Sequence, residues 1–267
     1  MVDINYMKIE IIIPAYNCIS TLHRTLSSLE TQTDIDFLVH IIDDCSTEDL
    51  SPIIEQHKSL NIRLTRNERN KGCGMTRQVG IDSTEADYIA FLDSDDVLMP
   101  YTVEMWKNMA KEFPSTDVFH SYIYEQVKAN SKTAMALHEF GFNYCHGKLY
   151  KVDFIRKYDI RNREDIKYAD DSFFNSICTE LGEVAIIPLP MYVWLNNENS
   201  ITRRENLFAK GSAHDFIMAM IHAVEFLREN GINEIKHLPN TIKNMAIMEH
   251  MFDEKTKEAY QKLKQYA

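Results

Sequence analysis

Three carboxylates fall within four residues at Asp93-Ser94-Asp95-Asp96, directly after the apolar run Tyr88-Ile89-Ala90-Phe91-Leu92. Adjacent ionised acids repel one another, and an apolar strand offers them nothing, so the cluster needs water, a cation or a polar ligand to offset its charge. A hard, oxygen-seeking Mg²⁺ or Mn²⁺, held by one or two carboxylates and by substrate phosphates, uses that spacing. Four other polar groups have types suited to binding or proton transfer: Pro14-Ala15-Tyr16-Asn17, Asp43-Asp44-Cys45-Ser46, Asn70-Lys71-Gly72-Cys73-Gly74 and, far downstream, Asp170-Asp171. Each has an ordinary explanation when taken alone. Asp43-Asp44 reads as a turn with Ser46 or Thr47 capping the next helix. Gly72-Cys73-Gly74 reads as a loop needing positive φ, and Asp170-Asp171 as negative charge favoured at a helix start. The Gly-X-Gly lacks the third glycine of a dinucleotide fingerprint, Arg77 standing in its place, and it follows a third strand. That excludes a Rossmann dehydrogenase.

The elements that must position these groups are legible over the first 120 residues. Short apolar runs at 8–13, 37–42, 62–65 and 88–92 alternate with amphipathic segments, the pattern of βαβ units on a parallel sheet. Ile19, Leu22, Leu26 and Leu29 recur at helical spacing, and further helices are expected over 49–58, 75–83 and from Pro100 to 112. In an open parallel sheet the ligand lies beyond the carboxyl ends of the strands, so the four upstream groups converge on one edge. After 118–124 the pattern loosens, and 126–137 reads as a polar hairpin or loop. Order returns at 147–158 and 169–181. From Asn206 the chain reads as helical, with Phe216, Met220, Val224, Phe226 and Leu227 on one stripe and 242–251 on another, suited to core or dimer contact. The expected division is a catalytic domain over 1–204, split into a nucleotide-binding half (1–120) and an acceptor-side half (121–204), followed by a helical extension over 205–267.

The net charge of −11 disfavours general affinity for nucleic acid or an anionic membrane. Five cysteines, an odd number without a CxxC pair, argue against a disulfide framework and a zinc site and fit the reducing cytoplasm. No stretch approaches the roughly 20 apolar residues of a membrane span, so any membrane contact is expected to be peripheral.

In order and spacing the strand-end groups resemble the family 2 glycosyltransferases, whose fold is called GT-A. The resemblance rests on Ile11-Ile12-Ile13-Pro14-Ala15-Tyr16-Asn17, Ile41-Ile42-Asp43-Asp44-Cys45-Ser46-Thr47, Asn70-Lys71-Gly72 with Thr76-Arg77, and Phe91-Leu92-Asp93-Ser94-Asp95-Asp96 before Pro100. It covers roughly residues 8–200 and is densest over the first hundred. It implies an α/β fold, a mostly parallel sheet flanked by helices, with a helical C-terminal extension. It also implies that Pro14, Ala15, Tyr16, Asn17, Asp43 and Asp44 hold a nucleoside, with Ala15 and Tyr16 lining the base and Asp44 accepting from a ring N–H. Arg77 would lie near the phosphates and Asp93 near ribose or sugar, Gly72 and Ser94 would be among the nucleotide-binding residues, and Asp95, with Asp93, would hold Mn²⁺ or Mg²⁺. The family's acidic pair at a helix start corresponds to Asp170-Asp171, with Asp171 preferred over Asp170 as the base. Cys45 and Gln78 depart from the glycine and asparagine more often found there. His146 is either a packed histidine or a contact to sugar or metal; Asn196, Asn199 and Ser200 are candidate lid residues, and Trp194 is lid or core.

The activity implied is a metal-dependent, inverting transfer of a sugar from a nucleotide diphosphate, UDP favoured over GDP because many relatives use it. The expected acceptor is a carbohydrate, lipid-linked or protein hydroxyl. Two rival readings remain. One is a phosphatase of the haloacid dehalogenase type with Asp93 as nucleophile, since Asp93-Ser94-Asp95-Asp96-Val97 fits its DxDx(T/V) signature. The other is a nucleotide-sugar binding module without catalysis.

Overall fold

A computed structural model describes residues 7–129, 132–139, 144–197 and 212–267. Its residues group into two compact units. The first takes the described residues up to 139 with His146–Asp159 and Glu183–Asn197; the second takes 144–145, Ile160–Gly182 and the described residues from 212 onward.

The first unit begins with β1 (Ile9–Ala15), α1 (Ile19–Glu30), β2 (Leu38–Asp43), α2 (Ser51–Ile54), β3 (Asn61–Arg66), α3 (Cys73–Ser83) and β4 (Tyr88–Phe91). β1, Ile-Glu-Ile-Ile-Ile-Pro-Ala, is buried at every position, as expected of a strand covered on both faces. β5 (Val97–Leu98), α4 (Thr102–Glu112), β6 (Val118–Ala129), β7 (Lys132–His138), β8 (Lys148–Lys151), α5 (Val152–Lys157) and β9 (Val184–Trp194) complete it. The sheet runs β3-β2-β1-β4-β8-β6-β9-β5, with β7 paired to β6. The first four strands are parallel, as their apolar runs and intervening helices require. β8 is antiparallel to β4 and β6, while β9 is parallel to β6 and antiparallel to β5, so the sheet as a whole is mixed. Ala15 pairs with Asp43 and Asp43 with Arg66, which aligns the carboxyl ends of β1, β2 and β3.

Glu10 is one of the charged residues buried in this unit. Glu10 of β1 is reached by His40 Nδ1 at 2.9 Å, Arg63 Nη2 at 2.7 Å and Thr84 Oγ1 at 2.7 Å. Burial opposes its ionisation, but the bonds from His40 and Thr84 and the charge of Arg63 outweigh it and hold its carboxyl below the usual range. Two helices differ from expectation. The helix expected over 49–58 closes after one turn, because buried His57 turns toward α1, with Nδ1 2.9 Å from Glu30 and Nε2 3.0 Å from His23. The helix expected at Pro100 starts at Thr102, since the Pro100 carbonyl accepts from Thr33 N instead. Of the two options for 126–137, the hairpin is found: β6 and β7 pair from Ile123↔His138 to Ala129↔Lys132.

The second unit holds α6 (Asp170–Leu181), α7 (Ser212–Glu229), α8 (Leu238–Met248) and α9 (Glu254–Lys264). Its core joins Ile217, Met220, Ile221, Val224 and Leu227 of α7 to Leu238, Met245, Phe252, Tyr260 and Leu263. Met220, Val224 and Leu227 of the expected α7 stripe are core and Phe216 packs against it, whereas Ile247 and Met251 of the second stripe are exposed. Among the described residues no helix is long and apolar enough to cross a membrane. The expected boundary at 204/205, Asn199 and Ser200 lie outside the described residues.

Candidate active site

The carboxyl ends of β1 and β2 are tied into one structure. Asn17, at φ +48°, accepts from Thr47 N (2.8 Å) and Oγ1 (3.1 Å) through Oδ1, while its own N–H donates to Ser46 Oγ (2.9 Å). Asp43 accepts from Ser46 N at 2.9 Å and from the Arg66 guanidinium, so its buried carboxylate shapes the loop. Asp44 is wrapped by the third strand end: Oδ1 accepts from Asn67 Nδ2 and Lys71 N, both 2.8 Å, and Oδ2 from Gly72 N at 2.9 Å. A carboxylate offers about four acceptor positions, so these three bonds leave one, on Oδ2. Gly72, at φ +82°, makes the turn that aims its N–H at Asp44 before α3 begins. Pro14 and Ala15 lie in β1, and the Tyr16 ring beyond them is exposed, a face on which a base can stack.

Cys45 holds φ +63°, the left-handed conformation that the family's more usual glycine adopts freely. A side chain there costs about 1–2 kcal/mol, and glycine's greater freedom in the unfolded chain returns about 0.4–1 kcal/mol of that. Cys45→Gly is therefore expected to stabilise the fold by roughly 0.5–1 kcal/mol in urea unfolding; a lower midpoint would show that the Cys45 side chain holds the loop. Gln78, the other departure, bonds Asp82 one turn along α3 and is buried.

Beyond β4 the acidic residues separate into distinct environments. Asp93 Oδ1 accepts from Arg77 Nη2 of α3 at 2.6 Å and Oδ2 from His146 Nε2 at 3.0 Å. Burial opposes ionisation of Asp93, but the charge of Arg77 and the bond from His146 hold its carboxyl well below the usual range. Asp95 is half-buried, with Oδ2 2.8 Å from Asn197 Nδ2 and its carbonyl 2.6 Å from Arg24 Nη2. Burial and the charge of Asp93 raise its pKa. Buried Asp96 accepts from the Tyr192 hydroxyl (2.6 Å) and from Leu195 N (2.7 Å); burial pushes it up to about 7, aided by Asp93 and Asp95 against the charge of His146. Ser94 is half-buried, and burial pushes the Cys18 thiol up to about 11.

Asp93, Asp96 and His146 offer ligand atoms that all lie within 4.8 Å of one another. Asp95 is not part of that group, although it is the adjacent carboxylate left half-exposed. Two acids with raised pKa beside a third that stays ionised are an under-neutralised cluster, and their oxygens suit a hard divalent ion. Two carboxylates and an imidazole at this spacing fit a divalent cation.

His146 is placed by its neighbours. Its ring lies 4.8 Å from that of Tyr192 and 5.6 Å from that of Trp194. Gly147, at φ +66°, follows it where a Cβ would come within 2.8 Å of Ser121 Oγ and 2.9 Å of Ile123 Cγ2, so only glycine lets the chain pass so close to β6. Tyr192 carried no signal in the sequence, being one apolar residue of a strand. Its hydroxyl nevertheless bridges Asp96 and the Asp93 N–H (3.2 Å), clamping the acidic turn to β9. Asn196 is tied through its N–H to Gln126 Oε1.

In the second unit, Asp170 and Asp171 are the first two residues of α6. Asp170 is buried and Asp171 half-buried, with Oδ1 3.3 Å from Cys145 Sγ. The segment before them, 167–169, donates its backbone N–H groups to Asp215 of α7, a residue the sequence reading did not single out.

Residues 10–177 match the sequence model of a family described as Glycosyl transferase family 2. An uncharacterised glycosyltransferase of Haemophilus influenzae is 35% identical over 113 residues, 42% of this chain and 38% of that protein. The Staphylococcus aureus poly(ribitol-phosphate) beta-N-acetylglucosaminyltransferase TarS is 27% identical over 188 residues, 63% of this chain and 32% of that protein. The chain thus spans about a third of the length of each. The crystal structure of TarS 1–349 with UDP-GlcNAc superposes with a TM-score of 0.67 at 19% identity, covering 97% of this chain and 88% of that one. The same fragment with UDP gives 0.63 at 20% identity, covering 88% and 78%. At that identity the likeness is one of fold, and the GT-A-type α/β architecture is the one expected.

Proposed function

Since the chain belongs to glycosyl transferase family 2, we propose that it transfers a sugar from a nucleoside diphosphate donor, UDP favoured, to an acceptor hydroxyl with inversion at the anomeric carbon. The observation that carries this reading is the gathering of Asp93, Asp95 and Asp96 with Arg77 and His146 beyond β4, on the sheet edge that also bears Tyr16 and Asp44. Such an edge suits a nucleotide whose base and diphosphate need different partners.

Tyr16 stacks on the base, and Asp44 accepts from a ring N–H through its remaining acceptor position. Arg77 holds Asp93 ionised and directs its carboxylate toward ribose or sugar. Asp95, with Asp93, would hold a divalent cation, which when bound supplies positive charge against the departing diphosphate. Asp96 is a positioning residue, its oxygens engaged by Tyr192 and Leu195. Asp171 takes the acceptor proton as general base. A polyol or carbohydrate hydroxyl is the favoured acceptor, TarS being named for a poly(ribitol-phosphate) substrate.

The phosphatase reading is not retained. It needs Asp93 as an unencumbered nucleophile on a first strand, whereas both Asp93 oxygens are bonded and β1, β2 and β3 precede β4. The test of the transferase reading is nucleotide release: with Mn²⁺, the protein is expected to liberate UDP from UDP-GlcNAc, UDP-glucose or UDP-galactose, and UDP to raise its thermal midpoint. Neither release nor a midpoint shift with any uridine nucleotide would overturn it.

A further inference from the structure

Asp215 stands apart from every group used above. Its Oδ2 accepts the backbone N–H groups of three consecutive residues, Lys167 at 2.9 Å, Tyr168 at 2.6 Å and Ala169 at 3.2 Å. Successive N–H groups turned onto one oxygen form an anion-binding nest, here filled by a side chain. Ala169, the last of the three, is the N-cap of α6 and cannot cap with its own side chain. Its carbonyl meanwhile accepts from Phe173 N at 3.0 Å, the opening bond of the helix. Ala169 is thus gripped through both its polar backbone groups, and the next two residues are Asp170 and Asp171.

Stability alone accounts for one of the three bonds, that from the part-buried N–H of Ala169. Lys167 and Tyr168 are exposed, so water would satisfy their N–H groups at small cost. What a carboxylate adds that water does not is a fixed position. Asp215 lies in the first turn of α7, two residues before fully buried Ile217, and Met220, Ile221 and Val224 continue that buried face. The nest is therefore referred to a rigid helix and not to a loop.

We infer that Asp215 is a positioning residue for the general base, fixing the 167–169 segment so that Asp171 enters α6 in the orientation that accepts the acceptor's proton. This rests on the reading of Asp171 as base. A displacement of the base by about 1 Å can cost roughly a hundredfold in rate, while the nucleotide site, built from other elements, has no part in the nest.

The experiment compares wild type, Asp215→Ala, Asp215→Asn, Asp171→Asn and the double variant Asp215→Ala/Asp171→Asn. It measures nucleotide release with Mn²⁺ from UDP-GlcNAc, UDP-glucose, UDP-galactose and GDP-mannose, together with UDP affinity. Asp215→Ala is expected to lower kcat by about 10- to 100-fold with donor KM and UDP affinity within about twofold. Asp215→Asn, which keeps an acceptor oxygen, is expected to recover most of the loss. The double variant is expected to be no slower than Asp171→Asn, because the two residues act through one step. An unchanged kcat in Asp215→Ala beside a collapsed Asp171→Asn overturns the inference and leaves the base in place. A loss of UDP affinity in parallel with kcat, or additive losses in the double variant, overturns it in favour of a general structural role. Wild-type rates in Asp171→Asn, or no release by wild type from any of the four sugars, overturn the base reading on which it stands.

Discussion

Asp171→Asn is expected to lower kcat by about 10²–10⁴-fold, the usual contribution of a positioned general base, while UDP affinity stays at the wild-type level. The amide keeps the size of the carboxylate and an oxygen that can still accept from Cys145, 3.3 Å away. What it loses is the capacity to take a proton. A direct displacement at the anomeric carbon requires the acceptor hydroxyl to shed its proton as the new bond forms, and without a base the barrier rises for transfer but not for binding. Release of UDP and its equilibrium binding, measured on the same preparation, separate the two. Equal rates in wild type and variant with binding intact would leave a nucleotide-sugar binding module in which Asp170 and Asp171 only favour a helix N-terminus. A comparable loss in Asp170→Asn, but not in Asp171→Asn, would move the role by one residue.

The first four strand ends were legible in the sequence because each follows a short apolar run that stops abruptly, and because successive parallel strands place their ends on one edge whatever the loops do. The chemistry of single residues was less so. Asp43 and Asp44 look alike in the chain, yet Arg66 and Ser46 lock one into the loop while Asn67, Lys71 and Gly72 surround the other. Asp96 is held by Tyr192 and Leu195, about a hundred residues away, and Asp93 by Arg77 and His146. No local pattern records such partners. His146 hangs on Gly147, whose need for positive φ and close approach to Ser121 appears only once β6 is beside it. Helix α2 shows the same override in the backbone, where His57 is drawn to α1 and ends a helix that local pattern would extend. Asp215 was invisible for the opposite reason: an acid in a helix's first turn is ordinary, and only its three partners distinguish it.

Replacing Asp95 by Asn should abolish the Mn²⁺-dependent part of UDP binding without destabilising the protein in the absence of metal. The second half of this prediction follows from charge. Asp95 lies beside ionised Asp93, and both burial and that neighbour penalise its own ionisation. Removing the charge relieves repulsion, and the amide oxygen can still accept from Asn197 at the position where Oδ2 now lies. The unfolding midpoint without metal is therefore expected to stay level or rise. The first half follows from the same repulsion in reverse: a divalent ion neutralises the cluster, and a neutral amide is a much poorer ligand for a hard cation. A ligand that binds only the native state raises stability by RT ln(1 + [L]/Kd), about 2.7 kcal/mol at a hundredfold excess over Kd. Wild type with Mn²⁺ and UDP is expected to show a midpoint rise that EDTA removes, and Asp95→Asn little beyond the metal-free value. Asp96→Asn provides the contrast, since that side chain serves Tyr192 and Leu195; it is expected to lower the metal-free midpoint, as any change at a buried clamp does. If Asp95→Asn keeps the full Mn²⁺-dependent shift while Asp96→Asn loses it with its metal-free midpoint intact, the metal belongs to Asp93, Asp96 and His146, and Asp95 is only their neighbour.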